Sequence, residues 1–192
     1  PPLTSGLVGV MGWDLIREIE NLPPASKKDF ESPILALCMF RDLVVVDHET
    51  NSVLLVSNIF NAEGTDIQSS YDSALANIDA MRRDLLKPSE AVIADIDFDS
   101  DYLAQHNTNK PEFISAVESA KEFVRAGDVF QVVISQRFDL QSHATPLDSY
   151  RVLRSLNPSP YMYLLNFEDS NGPFAVVGSS PEALVSRSEE RR

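Results

Sequence analysis

Two stretches of this 192-residue chain set polar or aromatic side chains where they could meet a small molecule. In DVFQVVISQRF, residues 128–138, strong strand formers are interleaved with Gln131, Ser135, Gln136 and Arg137. On a strand, Gln131, Val133, Ser135 and Arg137 share one face, and Phe130, Val132 and Ile134 share the other. Such a strand lines a polar pocket or runs along a sheet edge with its polar side in water, and composition does not choose between them. In NPSPYMY, residues 157–163, Pro158 and Pro160 each fix φ and push the preceding residue into an extended conformation. That stiff backbone presents Tyr161 and Met162 in a set direction. It suits gripping an aromatic ligand, with ring and thioether giving contact at little entropic cost. It equally suits a turn that ends a helix and starts a strand.

Other candidates yield to plainer explanations. The glycines of GLVGVMG (Gly6, Gly9, Gly12) are spaced GxxGxxG and follow no strand, so the dinucleotide fingerprint fails. Small residues at that spacing instead let a strand or turn approach another backbone closely. DIDFDSD, residues 95–101, opens like a calcium loop. Its sixth place is Ser100 where glycine is required and its twelfth is His106 instead of Glu, so calcium is rejected in favour of a half-exposed strand or loop. His48, His106 and His143 fall in no metal-ligand pattern, and Cys38 reads as a small core residue. GSSPE, residues 178–182, is not a nucleophile elbow. No paired carboxylates for a divalent metal and no base beside an oxyanion donor emerge.

The elements that must position these residues are legible as periodicity. Three strand-length apolar runs, ILALCMF (34–40), LVVVDH (43–48) and SVLLVSNIF (52–60), follow a proline-rich, charged linker at 22–33, and the last two read as a hairpin around ETN. Ile67, Tyr71, Ala74, Ile78, Met81 and Leu85 form the stripe of an amphipathic helix ended by Pro88. Phe113, Val117, Ala120 and Val124 mark a second helix, with Asn109 as N-cap, Pro111 in the first turn and Gly127 just past the end. Residues 128–138 then read as a long strand. Residues 145–156 read as a short helix capped by Thr145, with Pro146 at its first position. YMYLLNF (161–167) and FAVVG (174–178) are strands around a turn containing Asn171 and Gly172, and ALVSR (183–187) is a last strand. Strands in neighbouring groups with helices between the groups make an α+β chain.

Composition narrows the function. Sixteen Lys and Arg against 29 Asp and Glu give a net charge of −13, and no basic face is concentrated enough for nucleic acid. No apolar run reaches the ~18 residues of a membrane span and no secretion signal is present, so neither membrane nor export is expected. The single cysteine fits a reducing, cytoplasmic setting. The length is sufficient for a core burying roughly 70% of the unfolded surface.

Taken together, GLVGVMGWDLIREIENLP, GDVFQVVISQRF, LRSLNPSPYMYLL and VVGSSPEALV resemble, in order and spacing, the chorismate-utilising enzymes, and within them the large components of anthranilate synthases. The resemblance implies conversion of chorismate and ammonia to anthranilate and pyruvate with Mg²⁺, in tryptophan biosynthesis. A partner glutamine amidotransferase subunit would release the ammonia. It implies an α/β sandwich of mainly antiparallel sheets flanked by helices. Residues 1–108 would be the N-terminal portion of a partial domain and 109–192 the start of the chorismate-binding region. It carries the feedback inhibitor L-tryptophan onto Asn157, Pro160, Tyr161 and Met162.

Gln131 stands where the water-using isochorismate and salicylate synthases have a lysine base. An amide cannot take a proton, so a site built on it forgoes a factor of roughly 10²–10⁴. Ammonia needs less help than water. The family's metal-binding glutamates, catalytic histidine and carboxylate-holding groups lie C-terminal to these motifs. The chain is therefore expected to be an internal fragment, with no catalytic or metal-binding residue of its own and the Mg²⁺ ligands beyond Arg192. Alone it would be inactive, with exposed apolar surface that favours self-association. Alternatives are an aminodeoxychorismate synthase component and a tryptophan-sensing module without chemistry.

Overall fold

The computed structural model describes residues 3–23, 32–60, 64, 66–88 and 104–180. Its strands form four two-stranded antiparallel sheets, with helices between them. The α+β expectation holds.

The first sheet pairs β1 (Leu7–Met11) with β2 (Leu35–Met39), in the register Leu7↔Met39, Gly9↔Leu37 and Met11↔Leu35. Gly9 and Gly12, though not Gly6, serve close approach to another backbone. A Cβ on Gly9 would overlap the carbonyl oxygen of Ala36, and the N–H of Gly12 donates to Ile34 O at 2.7 Å, which continues the pairing beyond the strand. A 3₁₀ helix over Trp13–Glu18 follows, an element that the apolar pattern gives no sign of.

β3 (Asp42–Asp47) and β4 (Ser52–Ser57) form the hairpin expected around ETN. Its turn is set by short polar side chains: Asp47 Oδ1 accepts from the N–H groups of Glu49 and Thr50, and Asn51 takes φ 51°, which asparagine tolerates better than most residues. α1 (Ile67–Leu85) packs against β4 and β3, capped by Asp66, whose carboxylate accepts from the Gln68 and Ser69 N–H groups.

β5 (Gln105–His106) pairs briefly with β6 (Phe138–Asp139), where the rings of His106 and Phe138 meet edge to face at 4.9 Å. Between them α2 (Lys110–Ala126) has the expected ends. Asn109 and Glu112 form a reciprocal capping box, and Gly127 closes the helix at φ 82°, where a residue with a Cβ would be strained.

The long strand read over 128–138 does not form. Residues 131–137 have no regular structure, and only Phe138 joins the short β6. Alternation specifies which side chains would share a face, but a strand exists only where a neighbour accepts its N–H and C=O groups. Beyond the Asn107 N–H, which follows β5 and donates to Arg137 O at 3.1 Å, no described strand pairs with 131–137. Val132 and Ile134 instead lie along α2 near Val117, Ala120 and Val124.

α3 (Pro146–Leu156) leads into β7 (Tyr161–Asp169), which pairs along its full length with β8 (Gly172–Ser180). Phe167 and Phe174 stack across this hairpin at 5.3 Å. The strand read at 183–187, the DIDFDSD segment and residues 24–31 of the linker lie outside the described residues.

The large core that the length permits is not there: among the described residues only Ala74, 8% exposed, is buried. Each sheet has two strands and α1 and α3 cover one hairpin apiece, so most sheet faces lack a second layer. On the β1–β2 sheet, Leu7, Met11, Leu35, Leu37 and Met39 share one face and all stay exposed. Apolar surface is therefore exposed among the described residues, as expected above.

Candidate functional site

The diproline segment is built by its two neighbours. α3 begins with a capping box in which Thr145 Oγ1 accepts the Asp148 N–H and the Asp148 carboxylate accepts the Thr145 N–H, with Pro146 at the first position. The Thr145 hydroxyl, donating to Asp148 at 2.5 Å, is the main reason the Asp148 carboxyl is held below its ordinary value near 3.8. α3 lies against β7 and β8, so its C-terminus arrives at the start of the hairpin.

Asn157 ends the helix at φ −139° and ψ 65°, with its N–H on Leu153 O at 2.9 Å. Pro158, Ser159 and Pro160 then bridge to Tyr161, the first residue of β7. Asn157, Pro160 and Tyr161 are exposed and Met162 is half-buried. The segment is thus the turn between helix and strand, a proline-stiffened ledge that leads into Tyr161 and Met162.

Two residues of GSSPE, to which the sequence alone gave no such role, support the ledge. Ser179 of β8 stands opposite Met162, and its Oγ donates to Asn157 O at 2.9 Å. Gly178 stands opposite Tyr163 and leaves room for that ring, since a Cβ there would overlap it. The hairpin signal in the sequence could have paired these residues only with the register in hand. The Ser159 hydroxyl is shut off from solvent and has no hydrogen-bond partner among the described residues.

Gln131 is exposed within the irregular segment, whereas nearby Gln136 is held by donation from its Nε2 to Thr108 O at 3.0 Å. The concave regions lie elsewhere. A cleft of about 510 Å³ runs between Val10, Met11 and Gly12 and the turn end of the β7–β8 hairpin at Gly172 and Phe174. That is the far end of β7, about 26 Å from the ledge along a nine-residue strand.

A smaller polar hollow of about 260 Å³ lies between α1 and the β3–β4 ends, lined by Arg41, Ser57, Asn58, Ser73 and Asn77. Its polar groups already hold one another. Ser57 Oγ donates to Asp42 at 2.6 Å, Asn58 Nδ2 donates to the carbonyl of Thr4 at 2.8 Å, and Arg41 pairs with Asp42 at 2.9 Å. The Ser57 hydroxyl and then the Arg41 guanidinium hold the Asp42 carboxyl below the usual carboxylate range. This cluster joins β3, β4, α1 and the N-terminal segment, which is structural work.

No group of three or more His, Cys, Asp and Glu among the described residues could hold a metal ion, so these residues do not fit Mg²⁺. No described helix is long and apolar enough to cross a membrane.

Set against known proteins, the chain matches the chorismate binding enzymes over residues 1–192. It is 41% identical, over its whole length, to anthranilate synthase component 1 of Mycolicibacterium smegmatis, of which it covers 37%. It is 40% identical to the Arthrobacter globiformis component 1, over 96% of this chain and 36% of that protein. The crystal structure of anthranilate synthase component I from Streptococcus pneumoniae TIGR4 superposes with a TM-score of 0.78 at 27% identity, covering 98% of this chain and 41% of that one. The chain thus spans little more than a third of the length of these curated relatives.

Proposed function

Because the chain belongs to the chorismate binding enzymes, we propose that the protein carrying it is the large component of an anthranilate synthase. It takes chorismate and ammonia to anthranilate, pyruvate and water, and a partner glutamine amidotransferase subunit delivers the ammonia. The observation that carries this reading is similarity to anthranilate synthase components 1 that runs from one end of the chain to the other. Gln131 agrees with it. An amide at that place cannot activate water as a base, whereas ammonia is a competent nucleophile without one.

In this reading residues 157–162 serve regulation. Pro158 and Pro160 stiffen the backbone before tryptophan arrives, so little conformational freedom is lost when its indole meets Tyr161 and Met162. Asn157 and Pro160 complete the chain's share of the inhibitor site. Residues 1–192 alone supply one wall of the active site and no turnover. A cytoplasmic setting goes with this reading, because the chain's single cysteine suits a reducing compartment.

The test assays the full-length protein and residues 1–192 in parallel with chorismate, Mg²⁺ and ammonium salt. Anthranilate fluorescence is expected from the first, suppressed by L-tryptophan, and none from the second. An amino product that retains the enolpyruvyl group would instead make the protein an aminodeoxychorismate synthase. Turnover by residues 1–192 alone would overturn the division of labour.

A further inference from the structure

We infer that Ser179 is a positioning residue of the inhibitor ledge and sets how tightly the protein responds to tryptophan; this rests on the reading of residues 157–162 given above. The need for such a residue follows from the prolines. Pro158 and Pro160 have no N–H, so two of the four residues that join α3 to β7 cannot anchor the ledge through their own backbone donors. Stiffness within the ledge leaves its placement on the molecule unsettled.

Ser179 supplies that placement at both ends. Its hydroxyl donates to the carbonyl of Asn157, where the ledge leaves the helix, at 2.9 Å. Its backbone stands in register with Met162, where the ledge has become strand. One residue of β8 therefore fixes the separation between the first and last side chains assigned to the inhibitor. Without the hydroxyl the Asn157 carbonyl loses that donor and the ledge can swing about the end of α3. Ser179 acts through Asn157 and the strand register, so it tunes inhibitor binding without taking part in the reaction.

The test uses the full-length protein with Ser179→Ala, Ser179→Thr and Met162→Ala variants. Loss of one hydrogen bond corresponds to about a two- to ten-fold rise in the half-inhibitory tryptophan concentration for Ser179→Ala. Ser179→Thr keeps a hydroxyl and should recover most of that loss, while kcat/KM for chorismate without tryptophan changes much less than the inhibition does. If tryptophan inhibits the unaltered protein and Met162→Ala weakens that inhibition while Ser179→Ala does not, the role of Ser179 is overturned and the ledge reading survives. If tryptophan does not inhibit the unaltered protein and Met162→Ala changes nothing, the ledge reading itself fails. An equal fall in kcat/KM and in inhibition for Ser179→Ala would mark a general packing defect and would also overturn the inference.

Discussion

The segments 157–162 and 128–137 invite comparison, because both set polar or aromatic side chains in an apolar frame and only one of them is structurally defined. The ledge is held from within by two prolines and from both sides by a capped helix and a nine-residue hairpin. Segment 128–137 has a cleaner alternation, yet it rests against α2 through Val132 and Ile134 and leaves Phe130 96% exposed. Constraints carried by covalent geometry and near neighbours in sequence act wherever the chain goes. A periodic pattern becomes a strand only beside another strand.

The comparison can be broken or sharpened experimentally, and the largest effect should come where two backbones already touch. Gly9→Val drives a side chain into the Ala36 carbonyl, which cannot rotate away. It should lower stability by about 2 kcal/mol or more in urea denaturation. A loss no larger than that of an exposed substitution would mean that β1 and β2 are not paired this closely.

Next in size is the cap that aims α3 at the ledge. Thr145→Ala should cost about 1 kcal/mol, read as faster amide exchange through α3. The cap should also be acid-sensitive. The folded pKa of Asp148 is depressed below its ordinary value near 3.8, so its contribution is present above that value. It is lost as pH falls through the depressed one. Amide protection in α3 should therefore fall below about pH 4 in the unaltered protein and respond less in Thr145→Ala; identical acid profiles would contradict the capping box.

The smallest effect belongs to the irregular segment. Gln131→Ala should change stability by no more than about 0.5 kcal/mol, because the side chain is exposed and no ladder depends on it. A loss comparable with Thr145→Ala would show that the segment is ordered by contacts beyond those among the described residues.

Much of this architecture was readable in advance, and what was readable shares a cause. Asn109, Pro111 and Gly127 announce both ends of α2, and Thr145 with Pro146 announces the start of α3, because orphan N–H groups and a positive φ demand particular residue types. ETN and the Asn171–Gly172 pair mark hairpins for the same reason, with Gly172 taking φ 118°. The stiffening by Pro158 and Pro160 is equally local, whereas the choice of Asn157, Pro160, Tyr161 and Met162 came from the family resemblance.

Ser179 was hidden because its partner Asn157 is 22 positions away and meets it only through the register of β7 and β8. The Asp42–Ser57–Asn77 cluster was hidden likewise, its members lying up to 35 positions apart.

The sequence by itself settled where helices start and stop, where hairpins turn and which residues form a rigid ledge, since each of these depends on atoms a few bonds apart. Tertiary structure alone decided that 131–136 forms no strand, that Gly9 must lack a side chain and that a serine from the opposite strand holds the ledge. Those outcomes depend on which distant backbone comes within hydrogen-bonding distance, and alternation along one strand carries no record of that neighbour.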